Sequence, residues 1–211
     1  MWNDDDWLLL LQLYLKRPVG VKALYSRKLV DLSMELHVEP AELYRKMFAI
    51  RAQSVPHIAH LYNTYKDCPE KLGRKARMVR RMRGFNHADE FYQGVETRET
   101  FERDFRPLDN DTTLKPVMLI MILDLYFRLT PNTMVAETPE VVELAKLMKI
   151  KPAKIADVME VFQICDPYLN RADVMITPLL GPCQEVWNRY GNGDPESLAA
   201  LAAQLRAYFK A

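Results

Sequence analysis

The chain of 211 residues is 49% hydrophobic and 27% charged, a globular composition that excludes wholesale disorder and leaves room for two small domains. Its formal net charge of +1 excludes a uniformly basic polyanion binder, so only local charge can point to a partner. Cys68, Cys165 and Cys183 are odd in number and lack C-x-x-C spacing, which argues against a disulfide framework or a zinc site and fits a reducing compartment.

The N-terminus reads Met1-Trp2-Asn3-Asp4-Asp5-Asp6, acidic where a signal peptide would be basic, and the apolar run at 117–123 is too short to cross a bilayer. We expect a cytoplasmic protein without membrane association. Asn3 and the carboxylates after it form a helix start, because they complement the positive helix end. Trp7, Leu10, Leu11, Tyr14 and Leu15 then recur at helical spacing in a strongly apolar helix that should be largely buried, and Pro18 and Gly20 stop it. Ser26 is a candidate N-cap for a second helix with a stripe of Leu29, Leu32 and Leu36, and Pro40 opens a third carrying Leu43, Met47 and Ile50.

This unit returns 112 positions later: without a gap, residues 10–50 align with 122–162. Leu11, Leu13, Tyr14, Val30, Leu32, Pro40, Ala41 and Met47 are matched by identical residues, while surface positions differ. Repetition confined to apolar and proline positions preserves a core and its turns. The partner elements are a helix after Lys115-Pro116 and a second capped by Thr138 with Pro139, striped by Val141, Leu144 and Met148. A third starts at Pro152 and carries Ile155, Met159 and Phe162. Further helical segments follow in each half. Phe91, Val95, Phe101 and Phe105 anchor one after Asn86, and Leu198, Leu201, Ala202, Leu205 and Phe209 anchor a C-terminal one after Asp194-Pro195. The polar stretch at 106–111 is the expected boundary, giving domains 1–111 and 112–211 in an all-α tandem duplication.

Only about three residues separate the second and third helices, the spacing of a helix-turn-helix. Glycine is missing from the turn, where His37 and Lys149 stand instead, which predicts a different turn geometry. Trp2 with its acidic cluster, the run Leu8-Leu9-Leu10-Leu11-Gln12-Leu13-Tyr14-Leu15-Lys16-Arg17-Pro18, Leu29-Val30-Asp31-Leu32 and Glu39-Pro40-Ala41-Glu42-Leu43 resemble the helical N-terminal module of some HNH-type restriction endonuclease-like proteins. That module is itself similar to a Myb- or SANT-type three-helix unit. Asp166-Pro167 and Glu185-Val186-Trp187 resemble its downstream portion. The resemblance implies a DNA-associated module in two divergent copies. The family's Gly-Arg-Thr ahead of the proline is replaced by His37-Val38-Glu39 and Lys149-Ile150-Lys151, and no His-Asn-His constellation exists onto which cleavage could be carried over.

If the third helix enters a DNA groove, Arg45, Lys46 and Arg51 are its contacts, opposed by Glu39 and Glu42. The second copy offers Lys151 and Lys154 but places Asp157 and Glu160 on the following turn. The strongest electrostatic signal is residues 71–83, where Lys71, Arg74, Lys75, Arg77, Arg80, Arg81 and Arg83 occur without an acid while Leu72, Met78, Val79 and Met82 should pack inward. Such a run could equally pair with the acid-rich stretch at 89–111, within or between chains. His57 and His60 share a helix face but lack a third ligand at diagnostic spacing, and no catalytic constellation stands out. We therefore expect a non-enzymatic protein without metal or cofactor that binds double-stranded DNA. The alternative is a protein-interaction or scaffolding module, and basic and acidic segments pairing between chains would make a homodimer.

Overall fold

The computed structural model describes residues 2–82, 100–169 and 177–210, all of them helix, turn or irregular backbone without a strand. Its contacts divide the chain into two compact units, residues 1–99 and 100–210.

In unit 1, α1 (Asp4–Leu15) is the central helix. Asn3 accepts from the Asp6 backbone N–H at 2.9 Å while the Asp6 carboxylate accepts from the Asn3 N–H at 2.9 Å, a reciprocal capping box. Leu8, Leu9, Leu10, Leu11, Leu13 and Tyr14 are buried on nearly every side, because a helix that is apolar all round must be enclosed by others. The enclosing helices are α2 (Arg27–Leu36), α3 (Pro40–Ala52), α4 (Pro56–Tyr65) and α5 (Pro69–Arg80). Pro40, Pro56 and Pro69 each occupy a first-turn position, where the missing N–H leaves no helix bond unmade. Ser26 holds the N-cap position of α2 without a side-chain cap bond.

Unit 2 begins with α6 (Thr100–Phe105) and is built around α7 (Pro116–Arg128), whose ten residues from Val117 to Tyr126 are all buried. Around it lie α8 (Pro139–Met148), α9 (Pro152–Cys165), α10 (Leu180–Tyr190) and α11 (Pro195–Phe209). Asp194 caps α11 by accepting from the backbone N–H groups of Glu196 and Ser197. Among the described residues no helix is long and apolar enough to cross a membrane.

The helices α1, α2 and α3 begin 112 positions before α7, α8 and α9 respectively. The shared turn is glycine-like without glycine, which corrects the expectation of a different geometry. His37 and Lys149 both adopt left-handed backbone, with φ of +52° and +60°. The next N–H reaches back in each unit, Val38 to the Ser33 carbonyl and Ile150 to the Ala145 carbonyl, both at 3.1 Å. The likeness extends further than the sequence alignment. In unit 1, α4 and α5 flank the central helix, and in unit 2 α10 and α11 do the same. An arginine of α5 reaches an acid of α2, Arg80 to Glu35, and an arginine of α11 reaches an acid of α8, Arg206 to Glu143 at 2.5 Å.

The boundary falls earlier than the polar stretch at 106–111. Phe105 is buried with its ring 5.0 Å from that of Tyr208, and Asp104 is bound to Arg189, so the end of the expected helix over 91–105 belongs to unit 2. The remainder of that helix, with Asn86, Phe91 and Val95, lies outside the described residues.

Candidate nucleic-acid interface

Helix α5 buries Leu72, Ala76 and Val79 against the centre of unit 1. Residues three, four and seven apart share a helix face, so the side opposite those three carries Arg74, Arg77 and Arg81, all exposed. None of the three is paired with a carboxylate among the described residues. Lys71 is exposed beside them, with its ammonium 5.9 Å from the Tyr65 ring centre, and Lys75 is half-buried at the edge. The acidic residue of this helix, Glu70, sits in the first turn.

Two features depart from expectation. Met78 and Met82 face outward, at 51% and 42% exposed, because Leu72, Ala76 and Val79 already fill the inward arc. Arg80 points away from the cationic stripe: its guanidinium forks onto Glu35 of α2 and donates to Gln12 Oε1 of α1 at 3.1 Å. Arg80 therefore ties three helices together. Arg83 lies outside the described residues.

The third helix is less well furnished. Lys46 is only partly exposed; its ammonium lies 3.2 Å from Glu42 and 4.4 Å above the Trp2 ring, with Trp7 at 5.7 Å. Trp2 and Trp7 meet edge to face at 5.4 Å, so the three side chains close the N-terminal end of α1. Arg45 and Arg51 are exposed, but six residues of helix put them on different sides of α3, flanking the exposed Phe48. Going round α1, α3 touches α2 and α4, and α5 touches α4 and reaches α2 through Arg80. The α3 and α5 cations thus occupy opposite flanks of unit 1 and cannot form one continuous face.

In unit 2 the two candidate cations differ: Lys151 is exposed with no paired carboxylate among the described residues, whereas Lys154 is engaged. Lys154 is bound to Asp111, whose carboxyl is held below the usual range first by that contact and then by Thr113. Two more acids of the 89–111 stretch are also used there, Glu102 pairing with Arg106 at 3.2 Å and Asp104 with Arg189 at 2.7 Å, while Asp109 is exposed without a paired cation among the described residues. His57 Nε2 lies 3.0 Å from Asp4, and among the described residues no group of three His, Cys, Asp or Glu side chains is placed to hold a metal. No protein-family model, curated protein or solved structure matches this chain. The exposed methionines and the second role of Arg80 were missed from sequence; a helical projection of α5 around its three buried residues is the signal that finds Met78.

Proposed function

We propose that the chain is a non-enzymatic DNA-binding protein whose contact surface is the outer face of α5. The observation that carries this reading is the line of exposed Arg74, Arg77 and Arg81, with Lys71 beside it and no paired carboxylate among the described residues. The span from Arg74 to Arg81 is about 10 Å of helix axis, comparable with about three base-pair steps of duplex. The recurring α2-turn-α3 geometry and the resemblance to the HNH-associated helical module add support for two divergent copies of a DNA-associated unit. The split positions of Arg45 and Arg51 and the internal engagement of Lys46 make α3 the lesser contributor.

Fluorescence anisotropy with a random duplex pool across a salt series tests this. Three or four phosphate contacts give a log–log salt slope of about −3 to −4. The triple variant R74E/R77E/R81E should remain helical and lose at least tenfold in affinity with a shallower slope, while R45E/R51E changes it less. Equal affinity in the folded triple variant would overturn the reading.

The exposure of Met78 and Met82 favours a second reading, an acidic protein segment with an apolar face, because methionine and arginine together suit protein contact surfaces. Substituting both methionines by Gln separates the two: DNA affinity stays, whereas capture of a protein partner that survives nuclease treatment is lost.

A further inference from the structure

A groove of about 530 Å3 opens in unit 1 between α1, α2 and α5, within the size range of small-molecule sites. Leu9, Leu13, Leu32 and Leu72 form its floor. Lys16, from the end of α1, and Lys28, from the first turn of α2, stand on its rim, both exposed and without a paired carboxylate among the described residues. Next to them the Lys22 ammonium donates to the Lys16 carbonyl at 2.6 Å. Its proton affinity is lowered by burial first and then by the charges of Lys28 and Lys16, as expected of three neighbouring ammonium groups. Arg80 and Glu35, also in the lining, neutralise one another. Asp31 on the rim offsets one lysine, so the lining side chains carry a single net positive charge, with Lys22 turned onto backbone carbonyls outside the lining.

Unit 2 provides an internal comparison. A groove of about 190 Å3 lies at the corresponding place. Its Met121, Asp124, Arg128 and Leu144 stand 112 positions after Leu9, Gln12, Lys16 and Leu32. A groove at this point therefore comes with the helical arrangement. The cationic rim does not: Arg128 is held by Asp124 at 2.8 Å, and the position matching Lys28 is Glu140.

We propose that the unit 1 groove binds a free, single-chain amphiphilic monoanion, its apolar body over the leucine floor and its anionic head between Lys16 and Lys28. This site is separate from the outer face of α5, so it stands or falls independently of the DNA-binding reading.

Titration calorimetry of the full chain with decanoate and decyl phosphate, below micelle formation, with decanol and decyltrimethylammonium as comparisons, tests it. The expected result is saturable one-to-one binding of decanoate, at least tenfold weaker binding of decanol and none of the cation. Decyl phosphate should bind within a few-fold of decanoate. The K16E/K28E variant, altered only at exposed positions and checked for helicity by circular dichroism, should lose at least tenfold in decanoate affinity, whereas R74E/R77E/R81E retains it. Equal affinity for decanol and decanoate, or unchanged decanoate affinity in folded K16E/K28E, would overturn the proposal. A preference above tenfold for decyl phosphate would overturn the single-charge assignment. Lys16- and Lys28-dependent flotation with phosphatidylglycerol vesicles would reassign the site from a free amphiphile to a membrane lipid.

Discussion

His37 and Lys149 each hold a backbone conformation that costs a side chain about 1–2 kcal/mol and costs glycine nothing. Lys149 is exposed, so Lys149→Gly should raise stability by about 0.5 kcal/mol, the strain relieved outweighing the entropy that glycine adds to the unfolded chain. His37 is half-buried and makes contacts of its own, so His37→Gly should gain less. Urea midpoints of the two variants check the order. Gly191 works in the opposite sense: a Cβ there would lie 2.6 Å from the Trp187 ring, which itself packs on Tyr126, Phe127 and Phe162. Gly191→Ala should cost about 1–3 kcal/mol and alter near-ultraviolet circular dichroism, because the indole has to move within a packed cluster. Burial pushes the Cys183 thiol up to about 12. In the unfolded chain the thiol ionises near its ordinary value of about 9, so between those limits unfolding releases a proton and stability falls as pH rises. Cys183→Ala should lower the neutral-pH midpoint and flatten that alkaline decline.

At the scale of elements, polar contacts tie peripheral segments of unit 2 to its helices. Phe105 is buried at the end of α6, and a two-bond fork from Arg189 to Asp104, both bonds 2.7 Å, attaches that end to α10. That partner raises the proton affinity of Arg189 above the ordinary arginine value. Lysine cannot reproduce a planar fork, so Arg189→Lys should cost about 1–2 kcal/mol, measured as a lower urea midpoint at unchanged slope. Asp111 joins the segment before α7 to α9 through Lys154. Because Lys154 and Thr113 hold its carboxyl low, its contribution is present above the usual carboxylate range and fades as pH falls through the folded-state value. Asp111→Asn should therefore be less stable than the parent at pH 7 and lose less on acidification to pH 3.

Across the whole molecule, the two units have separate apolar centres, α1 in one and α7 in the other. Leu43 and Phe162 are both fully buried, each in its own unit. Leu43→Ala and Phe162→Ala should each cost roughly 2–5 kcal/mol. Calorimetry should find each lowering a different component of the unfolding endotherm. Much of this organisation was legible in the chain. The proline starts of α3, α8 and α9 and the Asn3 and Asp194 caps follow from local rules that need no neighbours, and an apolar run on all sides of α1 and α7 already marks them as helices to be enclosed. The likeness of α4 and α5 to α10 and α11 was not legible, since it lies in which helices pack on the central one rather than in a residue pattern.

What the sequence by itself determined was the all-helical class, the helices α1 to α3 and α7 to α9, and the 112-residue offset between their starts, because helix periodicity, capping chemistry and proline geometry act within a few residues. What only the tertiary structure decided was which charges are free. Lys46 rests over Trp2, Arg80 clamps Glu35, Lys154 holds Asp111, and Arg74, Arg77 and Arg81 face outward. The same holds for the unit boundary, moved by Phe105 and Asp104, and for the groove beneath Lys16 and Lys28. Periodicity assigns a side chain to a face of its helix, but the burial and partners of that face depend on which distant helix packs against it.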